Sequence, residues 1–152
     1  MVMSTLHTNS AAETITRMLN MGVPSFNLAT TINLIIAQRL ARRLCSKCKE
    51  PADLSAEQLV KAGFSSELAQ TATIFKPKGC DSCTGGYKGR VGIYEVVRIT
   101  PDVSRIIMDE GNAIQLNEQF KVEGFNSLRI SGLVKAASGV TSLEEVNRIT
   151  TD

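Results

Sequence analysis

Tryptophan is absent from the 152 residues of this chain, and aromatic side chains make up only 5% of it. Surfaces that bind single-stranded nucleic acid stack bases on aromatic rings and neutralise phosphates with basic residues. A chain with so few rings and a formal net charge of only +2 is poorly equipped for both tasks. We therefore expect no nucleic acid partner.

Long apolar runs are also missing. A transmembrane helix needs roughly 20 consecutive apolar residues, and no run in the sequence approaches that length. No segment has the pattern of a signal peptide either. These absences predict a soluble, cytoplasmic protein without a membrane span, and the apolar content of 43% suits one ordinary folded domain.

Cysteine is scarce, but its spacing is informative. The four cysteines form two Cys-x-x-Cys pairs, Cys45 with Cys48 and Cys80 with Cys83. Each pair presents two thiolates from one turn, and two pairs supply the four ligands of a tetrahedral zinc ion with no open position. Such a closed site holds structure and does not catalyse. Disulfides or free thiols are the alternative, although disulfides are rare in a reducing cytosol.

The residues around the two pairs could complement such a site. Zinc with four thiolates carries a net charge of about −2. Lys47, Lys49, Lys78 and Lys88 lie near the cysteines and either offset this charge or form ordinary solvated surface. The intervening segment, 49–79, is too long for a simple connection, so we expect it to form a small subdomain held together by the metal.

Signals for the start of a helix recur along the chain. In a capping box, Ser, Thr or Asn precedes the helix and Glu or Gln follows three residues later. Boxes and related caps predict helices 11–19 after Ser10, 56–62 after Ser55, a short one after Ser65 or Ser66, 101–110 after Thr100, 113–121 after Asn112, 127–138 after Asn126, and a last one at the box Thr141/Glu144. Within helix 127–138, Leu128, Leu133 and Ala136 are predicted to be core.

The first residues favour a different element. Residues 2–6 carry apolar and β-branched side chains suited to a buried strand, yet no preceding element is present to pair with it. Either the sequence is a fragment of a longer protein or this strand interpretation is wrong. His7, the only histidine, then falls in the loop between strand and helix. Ligands bind at the carboxyl ends of strands in open α/β sheets, so its position makes His7 a candidate functional residue, although a lone histidine is more often structural.

The stretch after the first helix is ambiguous. Residues 22–24, Gly-Val-Pro, break that helix. Leu28, Ile32, Ile35 and Ile36 then recur at helical spacing, and periodicity alone would continue this second helix to residue 44.

Several consecutive motifs resemble one family, the type II secretion and type IV pilus assembly ATPases. Residues 4–12, STLHTNSAA, resemble its His box. The segments 38–45 (QRLARRLC), 80–83 (CDSC), 86–95 (GYKGRVGIYE), 127–133 (SLRISGL) and 139–146 (GVTSLEEV) follow in the family's order. The resemblance covers essentially the whole chain and points to the metal-bearing, tetracysteine members, the pilus extension ATPases.

The resemblance implies an α/β fold: the C-terminal part of a RecA-like ATPase domain, with an inserted tetracysteine zinc subdomain and a C-terminal helical subdomain. It implies RecA-like segments at 1–44 and 84–99, the zinc subdomain at 45–83 and the helical subdomain at 100–152. It also replaces the long second helix by a strand at 37–44, paired with 90–99. Arg39, Arg42 and Arg43 on that strand would face solvent or a neighbouring subunit.

The family's nucleotide-binding motifs are missing from the sequence. A P-loop, GxxxxGK[ST], cradles phosphates while its hydroxyl ligates Mg²⁺, but no such stretch occurs, and the glycine-rich segment 85–90 has a different spacing. The resemblance therefore implies a fragment that does not hydrolyse ATP alone. ATP and Mg²⁺ would be bound mostly by the missing N-terminal part of the intact enzyme, where His7 would face the nucleotide.

For the intact protein, the resemblance implies a homohexameric cytoplasmic motor, peripheral to the inner membrane, that powers pilus assembly or type II secretion. Its expected partners are the other subunits, an inner-membrane platform protein and regulatory proteins, with the zinc subdomain as a docking surface. The alternative is a free-standing zinc-ribbon module for nucleic acid or protein. The cysteine pairs and the arginines favour this alternative, whereas the modest charge and the few aromatics oppose it.

Overall fold

The computed structural model describes residues 2–150 and shows a mixed α/β structure, as the sequence predicts at that level. Of the described residues, the strands are β1 (Leu34–Leu44), β2 (Glu50–Pro51), β3 (Phe75–Lys76) and β4 (Tyr87–Arg98). The helices are α1 (Ala11–Asn20), α2 (Ser25–Thr31), α3 (Ala56–Lys61), α4 (Ser66–Thr71), α5 (Pro101–Met108), α6 (Ala113–Val122), α7 (Leu128–Ala137) and α8 (Leu143–Thr150). β1 pairs with β4 in one two-stranded sheet, and β2 pairs with β3 in another.

The chain divides into two compact units, and both long strands contribute to each. The first unit runs to Gln38 and resumes over Tyr94–Ser127. The second comprises Arg39–Ile93 and continues from Leu128. The boundaries therefore fall inside β1 and β4 and at the start of α7.

The core of the first unit is formed by apolar residues of its helices and of the two long strands. α2 packs against α5, and both α1 and α5 pack against α6. The buried residues are Ala11, Ala12, Ile15, Leu28, Ala29, Ile35, Val97, Val103, Ile107, Leu116 and Phe120. Burying one such isoleucine or leucine side chain contributes about 2 kcal/mol. Because the first turns of α1 belong to this cluster, the cluster holds the start of the helix and the end of the loop before it.

The start of α1 is held by both local and distant groups. The Ser10 hydroxyl accepts a hydrogen bond from the backbone N–H of Glu13 at 3.2 Å, as predicted. The Glu13 carboxylate accepts from the N–H of Asn9 at 2.9 Å. The N–H of Ala11 donates to the buried carboxylate of Glu95 at 3.1 Å. Burial raises the pKa of Glu95.

The predicted strand at 2–6 is wrong for the described residues. Residues 2–8 have no regular secondary structure, and Val2 and Met3 are 94% and 82% exposed. A strand needs partners for its backbone N–H and C=O groups, and neither sheet of the described chain includes this segment. His7 therefore lies in an exposed segment before α1 and does not follow a strand.

β1 resolves the ambiguous stretch in favour of a strand. α2 ends at Thr31, and β1 begins at Leu34, slightly before the predicted start at 37. Ile35 is buried while Ile36 is 56% exposed. This alternation is the period of two expected of a strand, so two isoleucines that would share a helical face lie on opposite faces.

The second unit has its own core. α3 packs against α4, and α7 packs against α8. β2 and β3 are antiparallel, with Glu50 opposite Lys76 and Pro51 opposite Phe75. The core residues are Leu59, Phe64, Ala69, Ile74, Leu133, Ala136 and Val146. Leu128, Leu133 and Ala136 are all buried, which confirms their predicted place in the core.

Most predicted caps form. The helices α3, α4, α5 and α6 begin after Ser55, Ser65, Thr100 and Asn112. Complete capping boxes occur at the first and last of these four. α7 begins at Leu128, one residue after the predicted start, which is the ordinary uncertainty of a helix end.

The cap of the last helix is a correction. The predicted box Thr141/Glu144 is wrong, because the Thr141 hydroxyl donates to the backbone carbonyl of Arg42 at 2.8 Å. Ser142 takes the role instead, and its hydroxyl accepts from the N–H of Glu145 at 3.1 Å. The shift by one residue turns Glu145 into the buried side of α8.

Candidate metal centre

The two cysteine pairs, 35 residues apart in sequence, converge in the second unit. All four sulfur atoms lie within 4.8 Å of one another. The Sγ–Sγ distance is 4.0 Å from Cys45 to Cys80, 3.7 Å from Cys48 to Cys83 and 3.6 Å from Cys80 to Cys83. A tetrahedron with metal–sulfur bonds of about 2.3 Å has sulfur–sulfur edges of about 3.8 Å. The spacing fits four thiolates around one zinc ion, and the group could hold a metal ion.

The same distances bear on the alternative use of the cysteines. A disulfide has a sulfur–sulfur bond of about 2.05 Å, whereas the thiols of this group stand clearly further apart and are all free. The structure therefore presents a ligand cluster and not two disulfides.

Tight turns present the sulfur atoms. The N–H groups of Cys48 and Lys49 both bond the carbonyl of Cys45, at 3.4 Å and 3.0 Å. In the second pair, the N–H of Cys83 bonds the carbonyl of Cys80 at 3.1 Å, and the N–H of Cys80 bonds the Cys83 sulfur at 3.3 Å. Each Cys-x-x-Cys turn thus directs two sulfur atoms to one point.

The strands bring the two turns together. Cys45 directly follows β1, and Gly86 directly precedes β4. The N–H of Cys45 donates to the carbonyl of Gly86 at 2.9 Å. Gly86 has a φ of +85°, and a Cβ there would lie 2.4 Å from the Cβ of Pro77. The approach to the second turn therefore requires glycine.

The thiols of the first pair differ in their electrostatics. The backbone N–H of Lys47 lowers the pKa of Cys45 to about 7. Burial raises the pKa of Cys48 to about 12. A bound divalent cation favours the thiolate at every ligand position, so the cation would supply the charge that the protein alone does not.

Three of the four neighbouring lysines have other partners. The Lys47 ammonium donates to the Ser82 hydroxyl at 3.3 Å, and Lys78 pairs with Glu50 at 3.4 Å. The Lys49 ammonium donates to the carbonyl of Gly139 at 2.7 Å and lies 4.3 Å from the centroid of the Phe75 ring. The Lys49 ammonium therefore interacts with the C-terminal end of α7, where the helix dipole favours a positive charge.

A buried carboxylate that is not among the predicted site residues forms a hydrogen-bond network in the same unit. Glu145, whose side chain has no exposed surface, accepts from the backbone N–H and the guanidinium of Arg42 at 2.7–2.9 Å. It also accepts two bonds from Arg148, at 2.6 Å and 2.9 Å. The Arg42 guanidinium lies 4.1 Å from the centroid of the Tyr87 ring, and the hydroxyls of Tyr87 and Ser142 are 2.7 Å apart.

Opposing effects act on this carboxylate. Burial raises the pKa of Glu145, but the hydrogen bonds from Arg148 and Arg42 outweigh it and hold the pKa at about 2. Glu145 therefore stays ionised at neutral pH. Arg42 and Arg43 are both exposed, but the half-exposed side chain of Arg42 also pairs with Glu145.

His7 belongs to the first unit, apart from the cysteine group in the chain's division. The backbone carbonyl of His7 accepts a hydrogen bond from the Arg17 guanidinium at 2.9 Å. An open cavity of about 370 Å³ adjoins it and is lined by His7, Thr8, Asn9, Glu13, Thr16, Arg17, Asn20 and Ala113. Seven of these eight lining residues have polar side chains that can hydrogen-bond to a ligand.

Within residues 2–150, no helix is both long and apolar enough to cross a bilayer.

Comparison with known proteins gives a consistent result. The sequence profile described as "Type II/IV secretion system protein" matches residues 1–148. A "Type IV pilus assembly ATPase PilB" of Pseudomonas aeruginosa is 64% identical over 152 residues, covering 100% of this chain and 27% of that protein. The protein of that name in Myxococcus xanthus is 45% identical, covering 96% of this chain and 26% of its own length.

A second set of relatives carries another name. The "Type II secretion system protein E" of Aeromonas hydrophila is 38% identical over 99% of this chain and 30% of its own length. The chain thus spans about a quarter of the length of the curated relatives it matches. These matches confirm the resemblance that the motifs indicate.

Proposed function

The chain belongs to the type II/IV secretion system protein family, and on that premise we propose that it is part of a motor ATPase that powers type IV pilus assembly. The observation that carries the proposal is the identity of 64% over the whole chain to a protein named as a pilus assembly ATPase. The corresponding identity to the secretion protein of Aeromonas is 38%. The difference favours pilus assembly over type II secretion.

Cys45, Cys48, Cys80 and Cys83 are proposed to hold one structural zinc ion. The support is the distance between their sulfur atoms and the donor set, since four thiolates at these separations suit a tetrahedral, closed site. With no ligand position left for a substrate, the metal would hold the second unit in shape. The chain's own contribution is to position the thiolates and exclude further ligands.

The proposed architecture follows the family. Residues 1–44 and 84–99 are proposed to be part of a RecA-like ATPase domain, with the tetracysteine subdomain at 45–83 inserted and a helical subdomain at 100–152. ATP and Mg²⁺ would be bound chiefly by residues outside this sequence, because it contains no P-loop. The chain alone would therefore not hydrolyse ATP.

His7 is the proposed contact to nucleotide in the intact motor. Its support is the exposed position beside an open cavity and its place in a segment that resembles the family's His box. The intact protein would be a cytoplasmic homohexamer at the inner membrane. The second unit would offer a surface to an inner-membrane platform protein or to regulatory proteins.

The test is genetic and biochemical. In the source bacterium, we expect deletion of the gene to abolish surface pili and to leave type II secretion intact. The parent gene should restore pili, and Cys45→Ser should fail to restore them while lowering the zinc content of the purified protein. Ser46→Ala, an exposed change inside the same turn, is the matched control and should behave as the parent.

Three results would contradict the proposal. Normal pili in the deletion strain would exclude a role in assembly. Loss of secretion with normal pili would assign the protein to the other branch of the family. A Cys45→Ser protein that keeps full zinc content would refute the assigned metal site.

A further inference from the structure

Side chains of α1 hold the segment that carries His7. One of them, two turns into the helix, donates a hydrogen bond to the backbone of that segment. We propose that Arg17 is a positioning residue for His7: its guanidinium fixes the backbone of the loop so that the imidazole projects from one place beside the cavity. This inference rests on the proposed function of His7.

The geometry of Arg17 suits this role. Its Nη1 donates to the carbonyl oxygen of His7 at 2.9 Å, across ten residues of sequence. Helical side chains lean toward the N-terminal end of their helix. An arginine in the second half of α1 can therefore reach back to the loop before the helix, and its planar donor group holds a fixed direction.

Each of three consecutive loop residues has its own contact to α1. His7 accepts from Arg17, the hydroxyls of Thr8 and Thr14 are 2.7 Å apart, and the N–H of Asn9 donates to Glu13 at 2.9 Å. All three partners lie on one helix that is anchored in the core of the first unit. Without these contacts, segment 7–9 has no strand or helix of its own to restrain it.

The imidazole itself has no hydrogen bond within residues 2–150, so the restraint that Arg17 supplies acts on the backbone from which the ring projects. Arg17 and Glu13 line the cavity together with His7. A group that must meet a reacting phosphate has to be held closely, because small displacements cost rate. Arg17 supplies that restraint without itself taking part in the reaction.

The experiment measures steady-state ATP hydrolysis by the full-length protein that contains this chain. Arg17→Met removes every donor and keeps the length of the side chain, and Arg17→Lys restores N–H donors. We expect Arg17→Met to lower kcat roughly three- to tenfold, the effect of one lost hydrogen bond, with little change in the KM for ATP. Arg17→Lys should recover most of the rate.

The decisive comparison is made in the background His7→Ala. If Arg17 acts only through His7, Arg17→Met should cause no further loss there, because the two changes remove the same contribution. An equal loss in both backgrounds would mean that Arg17 acts on the nucleotide directly and would overturn the proposal. A parent-like kcat for Arg17→Met would also overturn it.

Arg105→Met is the matched control. Arg105 is also exposed and lies on α5 of the same unit, and within residues 2–150 its guanidinium pairs with Asp102 on its own helix. Its replacement should leave kcat unchanged. If Arg17→Met does not fold, as judged by its melting temperature and zinc content, Glu13→Ala tests the neighbouring contact and should lower kcat only when His7 is present.

The two proposals fail in different ways. A parent-like rate for His7→Ala would refute the role of His7 and with it the proposed function of this loop. A slow His7→Ala with a normal Arg17→Met would refute only the positioning role of Arg17.

Discussion

Replacement of Glu145 by glutamine should destabilise the second unit strongly. The side chain has no exposed surface and accepts hydrogen bonds from two arginines and one backbone N–H. Glutamine keeps the shape but loses the charge, and its amide N–H group faces other donors. Removing one partner from a buried ion pair typically costs about 3–5 kcal/mol.

The pKa of Glu145 gives a second measure of the effect. A pKa of about 2 in the folded protein lies well below the ordinary 4.5, and this difference corresponds to about 3 kcal/mol. The side chains of Arg42 and Arg148 are 48% and 56% exposed, so solvent screens part of their attraction. We therefore expect a loss of about 2–3 kcal/mol in the free energy of unfolding at pH 7.

The pH dependence has a definite sign. Because the folded pKa is depressed, the contribution of Glu145 is fully present above about pH 4.5 and is lost as the pH falls toward 2. The difference between the parent and Glu145→Gln should be constant from about pH 5 to 8 and shrink below that range. Acid also releases thiolate-bound metal, so both proteins must be compared at equal pH and equal metal content.

Urea unfolding followed by tyrosine fluorescence is a suitable assay. The chain has no tryptophan and only two tyrosines, and Tyr87 lies against Arg42 in this network. Glu144→Gln, on the exposed side of the same helix, is the matched control and should change stability by less than about 0.5 kcal/mol. Equal stability of Glu145→Gln and Glu144→Gln would refute the reasoning.

Four further predictions concern the metal, the nucleotide and the turn before β4. The purified chain should carry one zinc ion by elemental analysis. Cys83→Ser should lower both the zinc content and the melting temperature, since structural zinc can contribute roughly 10 kcal/mol. Full stability of a reduced, metal-free sample would contradict this prediction. The isolated 152-residue chain should show no ATP hydrolysis above background in a phosphate-release assay, because it lacks a P-loop; turnover in a preparation free of other ATPases would require another phosphate site. In the full-length protein, His7→Ala should lower hydrolysis roughly tenfold while zinc content and assembly persist; unchanged hydrolysis and normal pili would make His7 a structural residue. Gly86→Ala should cost more than about 2 kcal/mol in a denaturant titration, because the new Cβ would meet Pro77. Gly22 has a similar φ but open space around it, so Gly22→Ala should cost only about 1 kcal/mol. Similar losses for both variants would refute the clash.

Local chemistry is predictable from sequence. Ser55 with Gln58 and Asn112 with Gln115 form complete capping boxes, because both partners lie within four residues. Each Cys-x-x-Cys pair forms its own turn, because its backbone hydrogen bond joins residues three apart. In these cases the information that decides the structure lies in neighbouring residues.

Distant partners defeat the same reasoning elsewhere. Thr141/Glu144 and Ser142/Glu145 are overlapping patterns of equal local quality. The choice between them depends on the Arg42 carbonyl, which takes the Thr141 hydroxyl, and on the Arg42 guanidinium, which takes Glu145. Neither partner is near in sequence, so no cap rule could have selected the second pattern.

The strand interpretation of residues 2–6 fails for a related reason. Composition alone favours an extended conformation there, but a strand exists only with a partner. Local periodicity likewise puts Ile35 and Ile36 on one face of a helix, whereas pairing with β4 places them on opposite faces. Proximity to the cysteines also suggests Lys49 as a counter-charge for the metal, but the carbonyl of Gly139 at the end of α7 is its actual partner.

The hydrogen bond between Cys45 and Gly86 means that the chain enters the cysteine-bearing segment and leaves it at neighbouring points. The segment between the two turns is therefore a loop whose ends are already joined by the paired strands. Once loop ends are fixed, each doubling of length costs only about 0.6 kcal/mol. Insertions at Thr73, the exposed residue between α4 and β3, should be tolerated well as long as the two Cys-x-x-Cys turns are kept. This exposed connection is accordingly a place where the chain can gain length, or accept a grafted peptide, at a small thermodynamic cost.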